Sequence, residues 1–213
     1  MQKIADIRKE YSKATLDQST IHPDPVIQFE KWFQEALNAE VIEPNAMHLA
    51  TVNGQGKPSS RIVLLKGIEN RKFVFYTNYQ SKKAQEMEFN PACALTFFWP
   101  DLERQVRIEG VASRVSPETS DEYFQSRPRN SQVGAWSSPQ SSIIKDREIL
   151  EERVKQIEKK FEGLEMLPRP YQWGGYAIDP LLIEFWQGRP SRLHDRVQYV
   201  MVDGKWNIQR LAP

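Results

Sequence analysis

Phe29, Trp32, Phe33, Ala36 and Leu37 follow the i, i+3, i+4, i+7, i+8 spacing of one buried helical face. Asp24 ahead of them can cap that helix and Pro25 suits its first position. The polar residues 1–24 read as an extended, mobile arm, with residues 25–213 as a single domain. From residue 46 the period changes. Residues 46–52, 59–66 and 72–77 are short runs rich in β-branched and aromatic side chains. They are separated by Asn53-Gly54-Gln55-Gly56 and Gly67-Ile68-Glu69-Asn70, both suited to hairpin turns. Ser81 reads as the cap of a short helix over 82–89, which Asn90-Pro91 stops because the residue before a proline disfavours the helical region. Strands are expected at 92–99 and 103–115, and Ser116-Pro117 opens a helix carrying Tyr123 and Phe124.

Residues 126–140 (SRPRNSQVGAWSSPQ) show little periodicity and read as a long loop, a feature usually functional or disordered in a compact domain. The clearest helix is 146–161, with Leu150, Val154, Ile157 and Phe161 as its apolar stripe. Strand character returns at 175–178, 182–187, 197–202 and 206–209. Hairpins with helices as separate insertions predict an antiparallel sheet or barrel, mainly β with α (an α+β fold), rather than a βαβ nucleotide fold. Neither GxGxxG nor GxxxxGKS/T occurs.

Charge narrows the function. With 29 Lys and Arg against 28 Asp and Glu, the net charge is +1. That balance argues against holding nucleic acid or an anionic membrane by bulk charge, so any anion must be met by a local cluster. The 11% of aromatic residues excludes general disorder. The single cysteine, Cys93, forms no internal disulfide and suits a reducing cytoplasm; its small apolar neighbours mark an inert core thiol. The histidines lack metal-ligand spacing, so no metal is expected. No apolar run approaches a membrane span and the N-terminus has no signal-peptide core, which predicts a soluble cytoplasmic protein.

Four clusters could carry chemistry. Ser81-Lys82-Lys83 stands at a helix start, where free N–H groups and the helix dipole favour an anion. The bland reading is a solvated lysine pair, and these residues alone favour it. Arg61 and Lys66 flank an apolar run, but strand alternation sends 61 and 66 to opposite faces unless the strand bends or ends at a pocket. Arg127-Pro128-Arg129, with Tyr123 upstream and Ser131 downstream, makes either a phosphate clamp or a basic surface loop. Arg192-Leu193-His194-Asp195-Arg196 is either an ion-pair network or a group of catalytic side chains at a strand end.

Taken in order, Arg8-Lys9-Glu10-Tyr11, Arg61-Ile62-Val63-Leu64-Leu65-Lys66, Phe75-Tyr76-Thr77-Asn78, Ser81-Lys82-Lys83, Glu103-Arg104-Gln105-Val106, Ser126-Arg127-Pro128-Arg129, Gln140-Ser141-Ser142, Glu184-Phe185-Trp186-Gln187-Gly188, Arg192 to Arg196 and the terminal Arg210-Leu211-Ala212-Pro213 resemble the pyridoxine (pyridoxamine) 5′-phosphate oxidases over nearly the whole chain. The resemblance implies an FMN-binding split β-barrel and a homodimer with FMN at the subunit interface. It assigns FMN contacts to Arg61, Ile62, Val63, Leu64, Leu65, Lys66, Tyr76, Thr77, Lys82 and Lys83, with Gln105, Gln140, Ser141, Trp186 and Arg196 coming from the partner. It gives the substrate phosphate to Lys66, Tyr123, Arg127 and Ser131, and sets Arg192, Leu193 and His194 at the pyridine ring. Arg192 and His194 are the catalytic candidates. Arg8 and Tyr11 would belong to an arm that covers the site. The implied reaction oxidises pyridoxine 5′-phosphate or pyridoxamine 5′-phosphate by hydride transfer from C4′ to flavin N5, with O2 reoxidising the flavin to give H2O2. A flavin reductase on the same barrel and a non-catalytic store of flavin or pyridoxal phosphate are the alternatives; Tyr123, Arg127, Ser131, Arg192 and His194 argue against the reductase, while the store stays open.

Overall fold

The computed structural model describes residues 3–7 and 9–213. Nine strands form one antiparallel sheet: β1 (Ala46–Val52), β2 (Pro58–Leu64), β3 (Gly67–Glu69), β4 (Lys72–Asn78), β5 (Ala92–Trp99), β6 (Arg104–Arg114), β7 (Trp173–Gln187), β8 (Asp195–Val202) and β9 (Lys205–Leu211). The strand order is β2-β1-β5-β6-β7-β4-β3, and β8 pairs both β7 and β9. β7 makes this branching sheet possible. Its first half pairs β4, its second half pairs β8, and β6 runs along its other edge with a bulge at Glu109/Gly110. The sheet therefore curls into a half-barrel, and the expected antiparallel split barrel with flanking helices is borne out.

The first helix, α1 (Pro25–Asn38), starts where expected. The Asp24 carboxylate accepts from Val26 N at 2.9 Å and from Ile27 N at 3.4 Å. Its apolar face plugs the half-barrel: the Phe29 ring lies 5.0 Å from that of Phe73 and 4.9 Å from that of Phe97, and Trp32 lies 5.1 Å from Phe185. The remaining helices are α2 (Lys82–Phe89), α3 (Pro117–Ser126), α4 (Arg129–Ser137) and α5 (Glu148–Lys160). A second, smaller core gathers Phe124, Val133, Ala135, Phe161, Leu167 and Trp173. It fastens the α3–α4 segment over the start of β7.

Four local expectations are corrected. The loop read over 126–140 contains α4, whose start has no side-chain cap; buried Gln132 holds it by donating to Arg127 O at 2.9 Å and accepting from Leu167 N at 3.0 Å. The two strands expected at 175–178 and 182–187 are one, because Pro180 is accommodated at the bulge. The turn read at 67–70 lies at Asn70 and Arg71, both with positive φ (49° and 66°), and Gly67–Glu69 is strand. Ser81 precedes α2 but makes no capping bond; its Oγ accepts from Lys83 Nζ at 3.2 Å.

Candidate active site

A cavity of about 910 Å³ opens between the end of β2, β4, the start of α2 and the α3–α4 segment. Its size suits a ring-bearing ligand of cofactor dimensions. Because β2 ends at Leu64, the chain turns before alternation can separate Arg61 from Lys66, and both reach the cavity. Ile62, Val63 and Leu64 line it between them, with Tyr76 and Thr77 from β4 and Lys82 and Lys83 from α2. Leu65 is on the list of expected contacts but points into the core, 7% exposed. Tyr123, Arg127 and Ser131 complete the opposite wall. Gln140 and Ser141 were expected from a partner; the structure places both on the wall of their own chain, because α4 folds the following loop back over β4.

Lys83 is the electrostatic centre. Only 8% exposed, it donates to Thr77 Oγ1 at 3.0 Å, Ser81 Oγ at 3.2 Å and Gln140 Oε1 at 3.3 Å. All three acceptors are neutral, so the ammonium has no local counter-charge. Burial, and then the charge of Arg61, lower its pKa from the ordinary 10.5 to about 8. Arg61 differs. It donates to Thr51 Oγ1 at 2.5 Å and Ser59 Oγ at 2.6 Å, and it pairs with the buried Glu86 carboxylate at 3.3 Å. Lys82 is exposed, and its Nζ lies 3.9 Å from Glu86.

The other end of the cavity is aromatic. Tyr76 stacks on Tyr123 with 3.8 Å between centroids, and on Trp173 at 5.5 Å. Burial above all pushes the Tyr76 phenol up to about 12, so it stays a neutral donor. Arg127 lies 4.5 Å over the Trp173 ring, and its buried Nη1 has no hydrogen-bond partner among the described residues. A guanidinium keeps its charge even where burial lowers its pKa, so this orphaned donor is an open anion contact. Trp173 and Gln132, which seat Arg127, were missed in the sequence. The Trp173-Gly174-Gly175 run was the available signal: a strand start where an added Cβ at Gly174 would lie 2.1 Å from the Tyr79 hydroxyl.

Gln105, Trp186, Arg192, Leu193, His194 and Arg196 do not line this cavity. Trp186 pairs in register with Gln105 and Arg196, thirteen residues along β7 from Trp173, or about 40 Å of strand contour. There the buried Glu184 carboxylate accepts from Arg196 at 2.8 and 3.0 Å and from Arg107 at 3.2 Å. His194 stands 4.6 Å from the Trp186 ring, and its Nδ1 accepts from Arg189 N at 3.1 Å, which leaves Nε2 as the N–H in the neutral ring. Burial, then the Arg192 charge, lower its pKa. Ser191 and Arg192 both hold left-handed φ (56° and 62°), the kind of strain that costs about 1–3 kcal/mol per residue and concentrates at functional sites. Tyr11 packs edge-on against Trp186 and His194 at 5.7 and 5.9 Å. Arg8 lies outside the described residues.

A family profile described as "Pyridoxamine 5′-phosphate oxidase" matches residues 33–161, and one described as "Pyridoxine 5′-phosphate oxidase C-terminal dimerisation region" matches residues 173–213. The pyridoxine/pyridoxamine 5′-phosphate oxidase of Cytophaga hutchinsonii is 56% identical over 211 residues, 99% of this chain and 98% of its own. That of Burkholderia thailandensis is 53% identical over 216 residues, the full length of both. Among solved structures, PhzG from Burkholderia lata in complex with tetrahydrophenazine-1-carboxylic acid superposes with a TM-score of 0.86 at 28% identity, over 92% of this chain and 95% of that one. A pyridoxamine 5′-phosphate oxidase-related, FMN-binding protein from Nostoc punctiforme shares the fold, with a TM-score of 0.70 at 18% identity over 91% and 100% of the two chains.

Proposed function

The chain belongs to the pyridoxamine 5′-phosphate oxidase family, and from that premise we propose that it oxidises pyridoxine 5′-phosphate and pyridoxamine 5′-phosphate to pyridoxal 5′-phosphate with FMN and O2, releasing ammonia from the amine. One observation carries this reading: a single cavity holds three cations, Lys66, Lys83 and Arg127, that make no ion pair among the described residues, beside a stack of aromatic rings. Two phosphorylated ring compounds fit that donor set better than any neutral ligand.

Lys83, Lys82 and Arg61 take the FMN phosphate, with Thr77, Gln140 and Ser141 as neutral partners. Ile62, Val63, Leu64 and Tyr76 would flank the isoalloxazine. FMN, when bound, supplies the two-electron acceptor that O2 restores with formation of H2O2. Lys66, Tyr123, Arg127 and Ser131 hold the substrate phosphate and so fix the ring's position, a contribution made before any bond changes. The molecule acts as a homodimer in which the strand-end cluster of one protomer faces the cavity of the other, bringing Gln105, Trp186 and Arg196 to FMN and Arg192, Leu193 and His194 to the pyridine ring. His194, neutral in its lowered-pKa setting, offers its Nε2 N–H at the C4′ substituent. Residues 9–24 act as an arm laid on the single domain 25–213, and it carries Tyr11 to the strand-end cluster. No described helix is long and apolar enough to cross a membrane, and we place the protein in the cytoplasm.

The test is direct. The purified protein should be yellow, and addition of pyridoxine 5′-phosphate in air should yield pyridoxal phosphate and peroxide in equal amounts. Oxidation of NAD(P)H without pyridoxal phosphate would mark a reductase, and a yellow, inert protein a store.

A further inference from the structure

Residues 11–17 belong to no helix or strand, yet they are fixed at three points. The first is Glu103, 2% exposed, whose Oε2 accepts from Ser12 N at 2.8 Å and Lys13 N at 2.9 Å. The second is Asp195, whose Oδ2 accepts from Leu16 N at 3.0 Å while its Oδ1 accepts from Arg210 at 3.0 Å. The third is Arg210 itself, which donates to Leu16 O at 3.1 Å. A segment without a ladder of its own keeps its place through such hydrogen bonds and through the burial of Leu16 in the core.

Glu103 does more than anchor the arm. Its carbonyl accepts from Gly188 N at 2.7 Å and from Gln187 Nε2 at 3.2 Å, so one residue grips the arm by its side chain and the end of β7 by its main chain. Tyr11 is pressed against Gly188. A Cβ added at Gly188 would lie 2.7 Å from Tyr11 Cγ and 2.8 Å from its Cβ, so the tyrosine seat exists only because residue 188 is glycine. From that seat the ring meets Trp186 and His194.

We propose that Glu103 is a positioning residue: through Ser12 and Lys13 it sets Tyr11 against Trp186 and His194 and so fixes the orientation of the His194 cluster. The proposal rests on the reading of that cluster as substrate-facing. Hydrogen exchange on the FMN-loaded protein, followed at the Ser12 and Lys13 amides, tests the grip without reference to activity. Glu103→Ala speeds exchange there at least tenfold while core amides are unchanged, and Glu103→Gln, which keeps an acceptor oxygen, falls between. In steady-state assays Glu103→Ala raises KM for pyridoxine 5′-phosphate about fivefold or more, with a smaller change in kcat and FMN affinity within twofold of the parent. Gly188→Ala, which leaves the carboxylate but fills the seat, raises KM similarly; this variant and Glu103→Gln decide the matter if the alanine variant does not fold. Unchanged exchange in folded Glu103→Ala overturns the proposal, as does faster exchange with KM unaltered. If the parent protein forms no pyridoxal phosphate, the oxidase reading fails while the exchange pattern still decides whether Glu103 holds the arm.

Discussion

Around the cavity, Lys66, Lys83 and Arg127 make no ion pair among the described residues, while Arg61 and Lys82 share Glu86. At the far end of β7, by contrast, four arginines have an acid, and Arg192 makes no ion pair among the described residues. Arg196 and Arg107 share Glu184, and Arg189 and Arg210 share Asp195. The two regions are built from the same residue types and do opposite things. Charges that are already matched hold a shape. Charges left unmatched where they are buried or half-buried, as on Lys83 and Arg127, carry a desolvation cost that an incoming anion removes. The molecule thus keeps its net charge near neutral while leaving one cavity where phosphates are wanted.

The largest effect is expected where the matched region is broken. Glu184→Ala removes a buried carboxylate that accepts charge-assisted hydrogen bonds from two partly exposed arginines, and that loss costs about 3 kcal/mol. For a chain of this size that corresponds to a melting temperature lower by roughly 10 °C, measurable by calorimetry. In the unmatched region the same kind of truncation should spare the fold. Arg127→Ala removes a charged donor with no protein acceptor for its Nη1, so stability changes little, while KM for pyridoxine 5′-phosphate rises about 10–100-fold, the equivalent of about 1.5–3 kcal/mol. FMN affinity stays the same, which separates the two phosphate positions.

A third expectation concerns pH. Lys83 is a cation only below its lowered pKa of about 8, so flavin affinity is full at lower pH and falls as pH rises through that value, by up to about tenfold per unit. Stability of the flavin-free chain moves the other way. Between about 8 and the ordinary 10.5 the unfolded chain binds the proton that folded Lys83 has released, so this group makes folding more favourable as pH rises. Fluorescence titration of FMN across that range, beside melting curves without FMN, reads both signs. The smallest effect belongs to a pair in neither region. Arg147→Ala breaks an exposed i, i+4 contact with Glu151 at 3.1 Å, and both stability and turnover should stay within about 0.5 kcal/mol of the parent.

Much of this architecture was legible in local pattern. α1 announced itself by its 3.6-residue period, its Asp24 cap and Pro25, and the structure adds only what its face buries. The hairpin strands were visible for the same reason: one face is buried and the turns carry Asn and Gly. α4 was invisible because its stability is tertiary. Arg129-Asn130-Ser131-Gln132-Val133-Gly134 has no cap and no apolar period, and the helix exists because Gln132, Val133 and Ala135 find partners from distant segments. The candidate site divides along the same line. Each basic cluster was visible, but by itself each favoured an ordinary surface reading. What local pattern leaves open is which cations lack an acid, and that is set by long-range contacts such as Arg61 with Glu86, 25 residues apart in sequence. The family resemblance named the residues. It assigned Gln140 to the partner, whereas the fold of α4 brings Gln140 to the cavity of its own chain.

The measurement that bears hardest on this account is anaerobic. FMN-loaded protein is mixed with pyridoxine 5′-phosphate in the absence of O2, and the flavin spectrum is followed before and after air is admitted. The account predicts that the yellow colour bleaches with formation of one pyridoxal phosphate per flavin and returns in air with one H2O2. A flavin that stays oxidised in the presence of the phosphorylated substrate, or that bleaches only with NAD(P)H, would contradict it.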